Sequence, residues 1–498
     1  MAIGIDDNPF NPGYGEIPPV LAGRDNLKNE VNRRLTKTYK GEKHPTAIAL
    51  VGPRGCGKTA LLGWIEEKAE KKKLPVIRLV KQHFESVDNL AKALTENADS
   101  NLRSRAYSIR GGLKDPTGHL GSAEVELKRE SEYTPIENTL YLTNLLAAAS
   151  TKGLAILVDE AHDLPPEVGR YFYDAAQSAA QRNPILLVIA GTPDLKSVLR
   201  RSKATFIERM NTRNIGLLSW DDTSRALIEP FGNNITFDDN AKFSILSKTQ
   251  GYPYFIQHWG SALWDVLVRK GVTHVGDEEV KDARNTVDQL RNDLYFNRIK
   301  EFESKGMLVP VAETAFRIGE GGKPSAYEFD VTIKRMSHTL DKLEAEEKLL
   351  HTGFIWQEGI GNWQFGIPSL ATYVREHGTE MIFNQIKIEN ALPSLRKVHS
   401  YFKLASKLPT SYLEENLNKF LKGTSQENQA DDHLAFFSEL GILCPGRKPD
   451  YCLLAAPLLT EAIFEKAERL EAKPEMEPNQ EPTLQTRHES DDDYTPSM

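Results

Sequence analysis

Residues 46–59 read Thr-Ala-Ile-Ala-Leu-Val-Gly-Pro-Arg-Gly-Cys-Gly-Lys-Thr. The first six form a short apolar run of the buried-strand kind. The last eight, Gly52–Thr59, are a complete G-x-x-x-x-G-K-[ST] phosphate loop. From Thr59 to about Lys71 the apolar residues Leu61, Leu62, Trp64 and Ile65 recur with helical spacing. Strand, glycine loop and helix in that order is the context the motif requires. The three glycines let the backbone wrap a phosphate with its N–H groups turned inward, and the helix N-terminus adds partial positive charge. Gly52, Pro53, Arg54, Gly55, Cys56, Gly57, Lys58, Thr59 and Ala60 are therefore the expected phosphate-binding residues. Lys58 would reach the β- and γ-phosphates, and Thr59 would hold Mg²⁺.

Working outward, a helix is expected at Arg24–Tyr39, a strand at Leu74–Val80, a helix at Val87–Asn97 and another at Asn138–Ser150. Next comes Leu154-Ala-Ile-Leu-Val-Asp-Glu-Ala-His162, an apolar strand that ends on two carboxylates, which is the Walker B pattern. Asp159 would hold Mg²⁺ and Glu160 would polarise the attacking water. The following strand, Ile185–Ala190, ends at Gly191-Thr192-Pro193. Thr192 is a candidate sensor of the γ-phosphate, with a helix cap as the alternative. Alternating strands and helices imply an α/β fold with a parallel sheet and a ligand at the carboxyl ends of its strands. The segment 101–133 breaks the pattern. It carries Arg103, Arg105, Arg110, Lys114, Lys128 and Arg129, and reads as an insertion between core elements.

The phosphate loop, Asp159-Glu160 and Thr192 in this order resemble the AAA+ ATPases, and in particular their origin-recognition-like and STAND-related branch, often called AAA ATPase domain 16. Four further stretches carry the likeness. Asn8-Pro-Phe-Asn-Pro-Gly13 resembles the leader of many bacterial members. Pro18-Pro-Val-Leu-Ala-Gly-Arg24 is similar to the family's Gly-Arg motif, which implies that Leu21 and Arg24 sit beside the adenine. Thr205-Phe-Ile-Glu-Arg209 resembles the short helix bearing an arginine finger, with Arg213 as a competitor for that role. Gly251-Tyr-Pro-Tyr-Phe-Ile-Gln257 resembles the sensor-2 region, where Pro253 would meet the nucleotide. The resemblance implies a five-stranded core of order 5-1-4-3-2, a helical lid, ATP with Mg²⁺ at their junction, and a homo-oligomer if the finger acts in trans. This sensor-2 stretch has no arginine, which favours a slow switch over a fast motor.

Beyond a long charged helix at Asp277–Lys305, the pattern changes to helix, hairpin, helix. Ser337–Leu350 reads as a helix with Leu340, Leu343, Leu349 and Leu350 facing a core. His351–Trp356 and Asn362–Phe365 read as strands, and Pro368 opens another helix. A weaker copy follows: Asp432–Leu440, Gly441–Leu443, Tyr451–Leu454, then a helix from Pro457. Both look like winged-helix domains. The expected units are an extended arm (1–20), the ATPase core (21–225), the lid with its connecting helix (226–305), two winged-helix-like domains (306–380 and 381–472) and an acidic disordered tail (473–498). The helix expected to meet DNA, about 337–349, mixes Lys342 and Lys348 with Asp341, Glu344, Glu346 and Glu347. Acidic groups repel phosphate, so double-stranded DNA and a protein partner stay equally open.

Composition sets the outer limits. Of 498 residues, 40% are hydrophobic and 27% charged, an ordinary globular balance with room for several domains. The net charge of −8 leaves nucleic acid only a local basic patch to bind. No apolar run approaches the roughly 20 residues needed to span a bilayer, and the N-terminus lacks the features of a secretory signal. Cys56, Cys444 and Cys452 form no paired or metal-binding spacing, which fits a reduced cytoplasmic setting. Cys56 is either a small filler or an alkylation liability. The expected function is an ATP-binding switch that hydrolyses ATP slowly and controls oligomerisation and engagement of DNA or a protein. Two rivals are a nucleotide-bound STAND-like scaffold with little turnover and an adaptor ATPase of the transposition or replication-initiator kind.

Overall fold

The structure is a computed structural model that describes residues 4–13, 15–44, 46–96, 134–201, 207, 210–319, 322–336, 341–359, 361–386, 391–446 and 450–472. The basic insertion at 101–133, Arg209, Leu340 and the tail from Lys473 lie outside the described residues.

Five strands form one parallel sheet: β1 (Ile48–Val51), β2 (Val76–Leu79), β3 (Leu154–Val158), β4 (Ile185–Gly191) and β5 (Asn211–Asn214), in spatial order β2-β3-β4-β1-β5. This is the parallel α/β sheet that the alternating strands and helices implied, in the strand order that the AAA+ resemblance implied. Alternate residues along each strand point to opposite faces. Ile48, Leu50, Leu157 and Val188 meet α1 (Asp25–Tyr39) and α2 (Lys58–Lys71) on one side. Ala49, Ile156, Val158 and Ile189 meet α3 (Val87–Glu96), α4 (Pro135–Ala149) and α5 (Pro166–Arg182) on the other. Both faces are covered, so β1, β3 and β4 are buried throughout and read as continuous apolar runs. A short α6 (Leu195–Arg201) follows β4.

The lid is four helices: α7 (Trp220–Ile228), α8 (Asp239–Thr249), α9 (Pro253–Lys270) and α10 (Asp277–Ser304). The expected boundary between core and lid at 225 therefore falls inside α7. Ser219 caps α7, its Oγ accepting the Asp222 N–H at 3.1 Å. Pro253 opens α9 and Gly271 closes it. The N-terminal arm is not free. Phe10 is buried against Phe231, with ring centroids 5.0 Å apart. Gly260 leaves the space for it, since a Cβ there would stand 2.3 Å from the Phe10 ring.

Two units of three helices, a hairpin and a closing helix follow. The first has α11 (Leu308–Ile318), α12 (Ala326–Met336), α13 (Lys342–Thr352), the antiparallel hairpin β6 (Ile355–Gly359) and β7 (Asn362–Phe365), then α14 (Leu370–Tyr373) running through a π-turn, Val374–Gly378, into α15 (Thr379–Gln385). The boundary expected at 380 lies inside that helix. The strand expected from His351 begins only at Ile355, because His351 and Thr352 finish α13 and Gly353 caps it in the left-handed region. Leu349 is buried, but Leu343 is 51% exposed and is no core residue. The second unit has α16 (Leu392–Phe402), α17 (Thr410–Leu421), α18 (Ala430–Glu439), β8 (Leu443–Pro445), β9 (Tyr451–Leu454) and α19 (Pro457–Glu471). A two-residue strand, Leu408–Pro409, completes its sheet.

Candidate nucleotide site

The loop after β1 is held tightly from below. A Cβ on Gly52 would stand 1.9 Å from the Ile215 carbonyl oxygen, so only glycine allows the chain just after β5 this close. Gly55 has φ +79° and faces Tyr252, whose hydroxyl donates to the Arg54 carbonyl at 3.0 Å. The lid thus grips the loop through one buried tyrosine, whose hydroxyl burial makes harder to ionise. Lys58 is 5% exposed and donates to the Gly52 and Pro53 carbonyls, each at 2.8 Å. Burial lowers the pKa of its ammonium. An ammonium has three donors, so one remains for a phosphate oxygen.

Arg54 to Ala60 form one wall of a cavity of about 460 Å³. Backbone N–H groups at the start of the 14-residue α2 face an anion-sized space there. The donor set fits a nucleotide phosphate. Leu21, Ala226, Tyr252, Pro253, Ile256 and Leu294 supply apolar surface, and Asn11, Gly13, Gly15 and Glu16 of the arm line the cavity too. Arg24 also lines the cavity, yet its guanidinium donates to the Gly216 carbonyl and so braces the loop after β5. Gly52 and Pro53 lie outside the lining and act on the loop's shape.

Thr59 and Asp159 come together, Oγ1 to Oδ1 at 3.4 Å. One hydroxyl and one carboxylate at this spacing fit a Mg²⁺ that keeps most of its waters. Arg78 on β2 holds the other Asp159 oxygen at 3.2 Å and reaches Glu66 at 3.3 Å. Glu160 lines the cavity and has φ 48°, a left-handed backbone that costs a non-glycine residue of order 1–3 kcal/mol. Its Oε2 is buried and stands 3.3 Å from His162 Nε2, and the two do not meet hydrogen-bond geometry. The His162 ring is wholly enclosed, and burial lowers its pKa, which keeps it neutral. The Thr192 N–H donates to His162 Nδ1 at 3.4 Å, which assigns the ring proton to Nε2, facing Glu160. His162, Asp163 and His351 place ligand atoms within 4.8 Å of one another, but this tautomer leaves Nε2 no lone pair for a metal.

Thr192 differs from expectation. Its hydroxyl donates to Asp194 and the residue is 1% exposed, outside the cavity lining. Asp194 in turn accepts from His351 Nδ1 at 3.0 Å, a contact between the sheet and the first winged-helix-like unit. Burial pushes the Asp194 carboxyl up, but the hydrogen bonds from His351 and Thr192 outweigh it and keep it ionised. Arg213, the rival arginine finger, lies on edge strand β5 and is held by Glu30 at 2.7 Å. Cys56 is 2% exposed and burial pushes its thiol up to about 11, so it is a filler and no alkylation liability.

The sequence reading missed the contribution of α10. Asn297, Arg298 and Glu301 line the cavity opposite the phosphate loop. Arg54 donates to Glu301 at 3.1 Å and Arg298 does so at 2.7 Å. Burial pushes the Glu301 carboxyl up, but the Lys305 hydrogen bond and the charges of Arg298 and Arg54 outweigh it and bring it down to about 2.

A loop of this shape, a paired Thr59 and Asp159, and a strand-end glutamate beside one cavity define a phosphate-loop nucleotide site. Residues 41–199 match the AAA domain family model. That AAA domain implies a capacity for ATP binding and hydrolysis. No curated protein matches the chain. Similar solved chains include Cdc6p of Pyrobaculum aerophilum (13% identity, TM-score 0.40, covering 94% of this chain and 99% of that one). Two more are Aeropyrum pernix Orc1, solved in complex with DNA (16%, 0.38, 73% and 94%), and the RuvB Holliday junction branch migration motor of Thermotoga maritima (15%, 0.38, 70% and 95%). Among the described residues, no helix is long and apolar enough to cross a membrane.

Proposed function

We propose that this chain is an ATP-dependent switch, turning over ATP slowly and changing its assembly or its partner with nucleotide state. The observation that carries this reading is the convergence of Lys58, Thr59 and Glu160 on one cavity, with Asp159 beside Thr59 and the lid and arm lining the space. In it, Lys58 and the loop N–H groups hold the β- and γ-phosphates, while Thr59 and Asp159 hold Mg²⁺, which would neutralise phosphate charge. Leu21, Ala226 and Pro253 pack against the base. Glu160 orients water, with His162 steadying its Oε2. Arg209 remains the proposed finger to a neighbouring copy, which would make the active form a homo-oligomer in the cytoplasm.

Slow turnover is supported by two features. Arg298, the arginine nearest the cavity on α10, is engaged by Glu301. The first winged-helix-like unit also rests on the core beside the Walker B residues, through Arg201–Glu347 at 2.9 Å and His351–Asp194 at 3.0 Å. Both unit contacts are made by α13, the helix expected to read DNA. With that helix occupied and acidic, a protein partner is favoured over duplex DNA. The same docking favours, as a second reading, a nucleotide-bound scaffold with little turnover.

The test is steady-state ATP hydrolysis by wild type and Glu160→Gln across protein concentration, with and without duplex DNA. Turnover that rises with concentration and falls on the order of 100-fold in the variant supports the switch. Tight ATP binding with no turnover under any condition supports the scaffold. Turnover unchanged in Glu160→Gln refutes the catalytic assignment.

A further inference from the structure

Beyond the far end of α10 a second cavity, of about 340 Å³, opens between the two winged-helix-like units. That volume lies in the range of small-molecule sites, which favour junctions between domains. Met307, Val309 and Met336 of the first unit face Leu443, Cys444 and Ala456 of the second, so much of the wall is apolar. Its charged lining is Lys305, Arg317, Arg335 and Lys348 with Glu313 and Glu439; Lys305 also pairs with Glu301 at 2.7 Å and Lys348 with Glu344 at 3.1 Å.

Both arginines share Glu313. It is 3% exposed and already accepts from Arg317 at 3.0 Å, Arg335 at 2.6 Å and the Leu459 N–H at 2.9 Å. One carboxylate thus serves two guanidinium groups. Among the described residues, Arg317 Nε is buried and has no hydrogen-bond partner. Two guanidinium groups that share one carboxylate keep N–H donors for a further acceptor. We propose that this cavity binds a small organic anion, its acidic group set against Arg317 and Arg335 and its apolar body against Met307, Val309 and Leu443.

The site is wired to the nucleotide cavity by one side chain. Lys305 lines the second cavity and donates to Glu301 Oε1 at 2.7 Å. The same oxygen accepts from Arg54 of the phosphate loop, and Glu301 lines the first cavity. An anion that draws Lys305 into the second cavity removes a donor from Glu301 and shifts its bond with Arg54. The anion is thereby an effector of nucleotide affinity, a step that rests on the nucleotide reading above. Binding coupling of this kind is reciprocal.

The probe is 8-anilinonaphthalene-1-sulfonate, an organic anion with an apolar body whose fluorescence rises out of water. It is titrated into the full chain with ADP saturating, so that the first cavity is filled. One equivalent should bind, and Arg317→Gln should weaken it at least tenfold. Lys348→Glu, a half-exposed change at the same cavity that spares the core, should weaken it in the same direction. Binding unmoved by both variants overturns the site. With the dye bound, ADP affinity should change at least fivefold, and Lys305→Met should abolish that coupling. Dye binding without any change in ADP affinity overturns the effector role. A chain that binds no ADP would instead refute the nucleotide reading, and the dye titration, run without nucleotide, would still decide the second site.

Discussion

The two cavities at the C-terminal part of α10 are built in opposite ways. The first takes its anion-binding power from backbone: a glycine loop, a helix N-terminus and one lysine, all within residues 52–60. The second takes it from side chains of α11, α12 and α13, with β8 of the other unit facing them. A backbone cradle depends on local geometry and announces itself as a short motif. A side-chain cradle depends on two units meeting and leaves no contiguous trace. The first tolerates almost no substitution, whereas the second tolerates change at the cost of specificity.

The largest effect that would sharpen this contrast lies at the metal pair. Thr59→Ala and Asp159→Ala should each lower ATP turnover on the order of 100-fold and remove the Mg²⁺ dependence of nucleotide affinity, measured by titration with and without the ion. Equal effects from Lys305→Met would erase the distinction between the two regions. Next comes the arm. Phe10→Ala should cost ~3 kcal/mol of packing on the lid and speed ADP release, as seen in melting temperature and stopped flow. Gly260→Ala should act in the same direction by expelling the ring. Smaller again is the pH response of the α10 junction. Glu301 has a depressed folded-state pKa of about 2, so its stabilising contribution is complete above the ordinary carboxylate range and fades as pH falls from about 4.5 towards 2. The melting-temperature gap between wild type and Glu301→Gln should close over that window. Smallest is thiol reactivity: Cys56 should resist iodoacetamide at neutral pH in the folded chain, while half-buried Cys452 reacts first.

What could be read from the sequence follows the same division. Strand, loop and helix at 46–71 and the apolar run before Asp159 are local signals, and the sheet order came with the family they resemble. The start of α4 was legible too: Thr134 and Glu137 form a reciprocal capping box, placing the helix at Pro135 rather than Asn138. The rest depends on distant partners. Thr192 was expected to face a phosphate, but Asp194, fixed by His351 from another unit, takes its hydroxyl. Arg298 and Glu301 read as surface charges on a long polar helix until the fold brings them across from Arg54. Leu343 fits a helical apolar stripe, yet in the first turn of α13 it stays 51% exposed, while Ala345 and Leu349 of the same helix are buried. Periodicity reports that a face exists and says nothing of which neighbour claims it.

The central claim is that the cavity between the phosphate loop and the lid holds ATP. Calorimetric titration of ATP with Mg²⁺ into wild type and Lys58→Ala tests it most directly. One equivalent bound by the wild type, with affinity lost at least 100-fold in the variant at an unchanged fold, is the expected result. ATP bound equally well by both chains, or by neither, would contradict it.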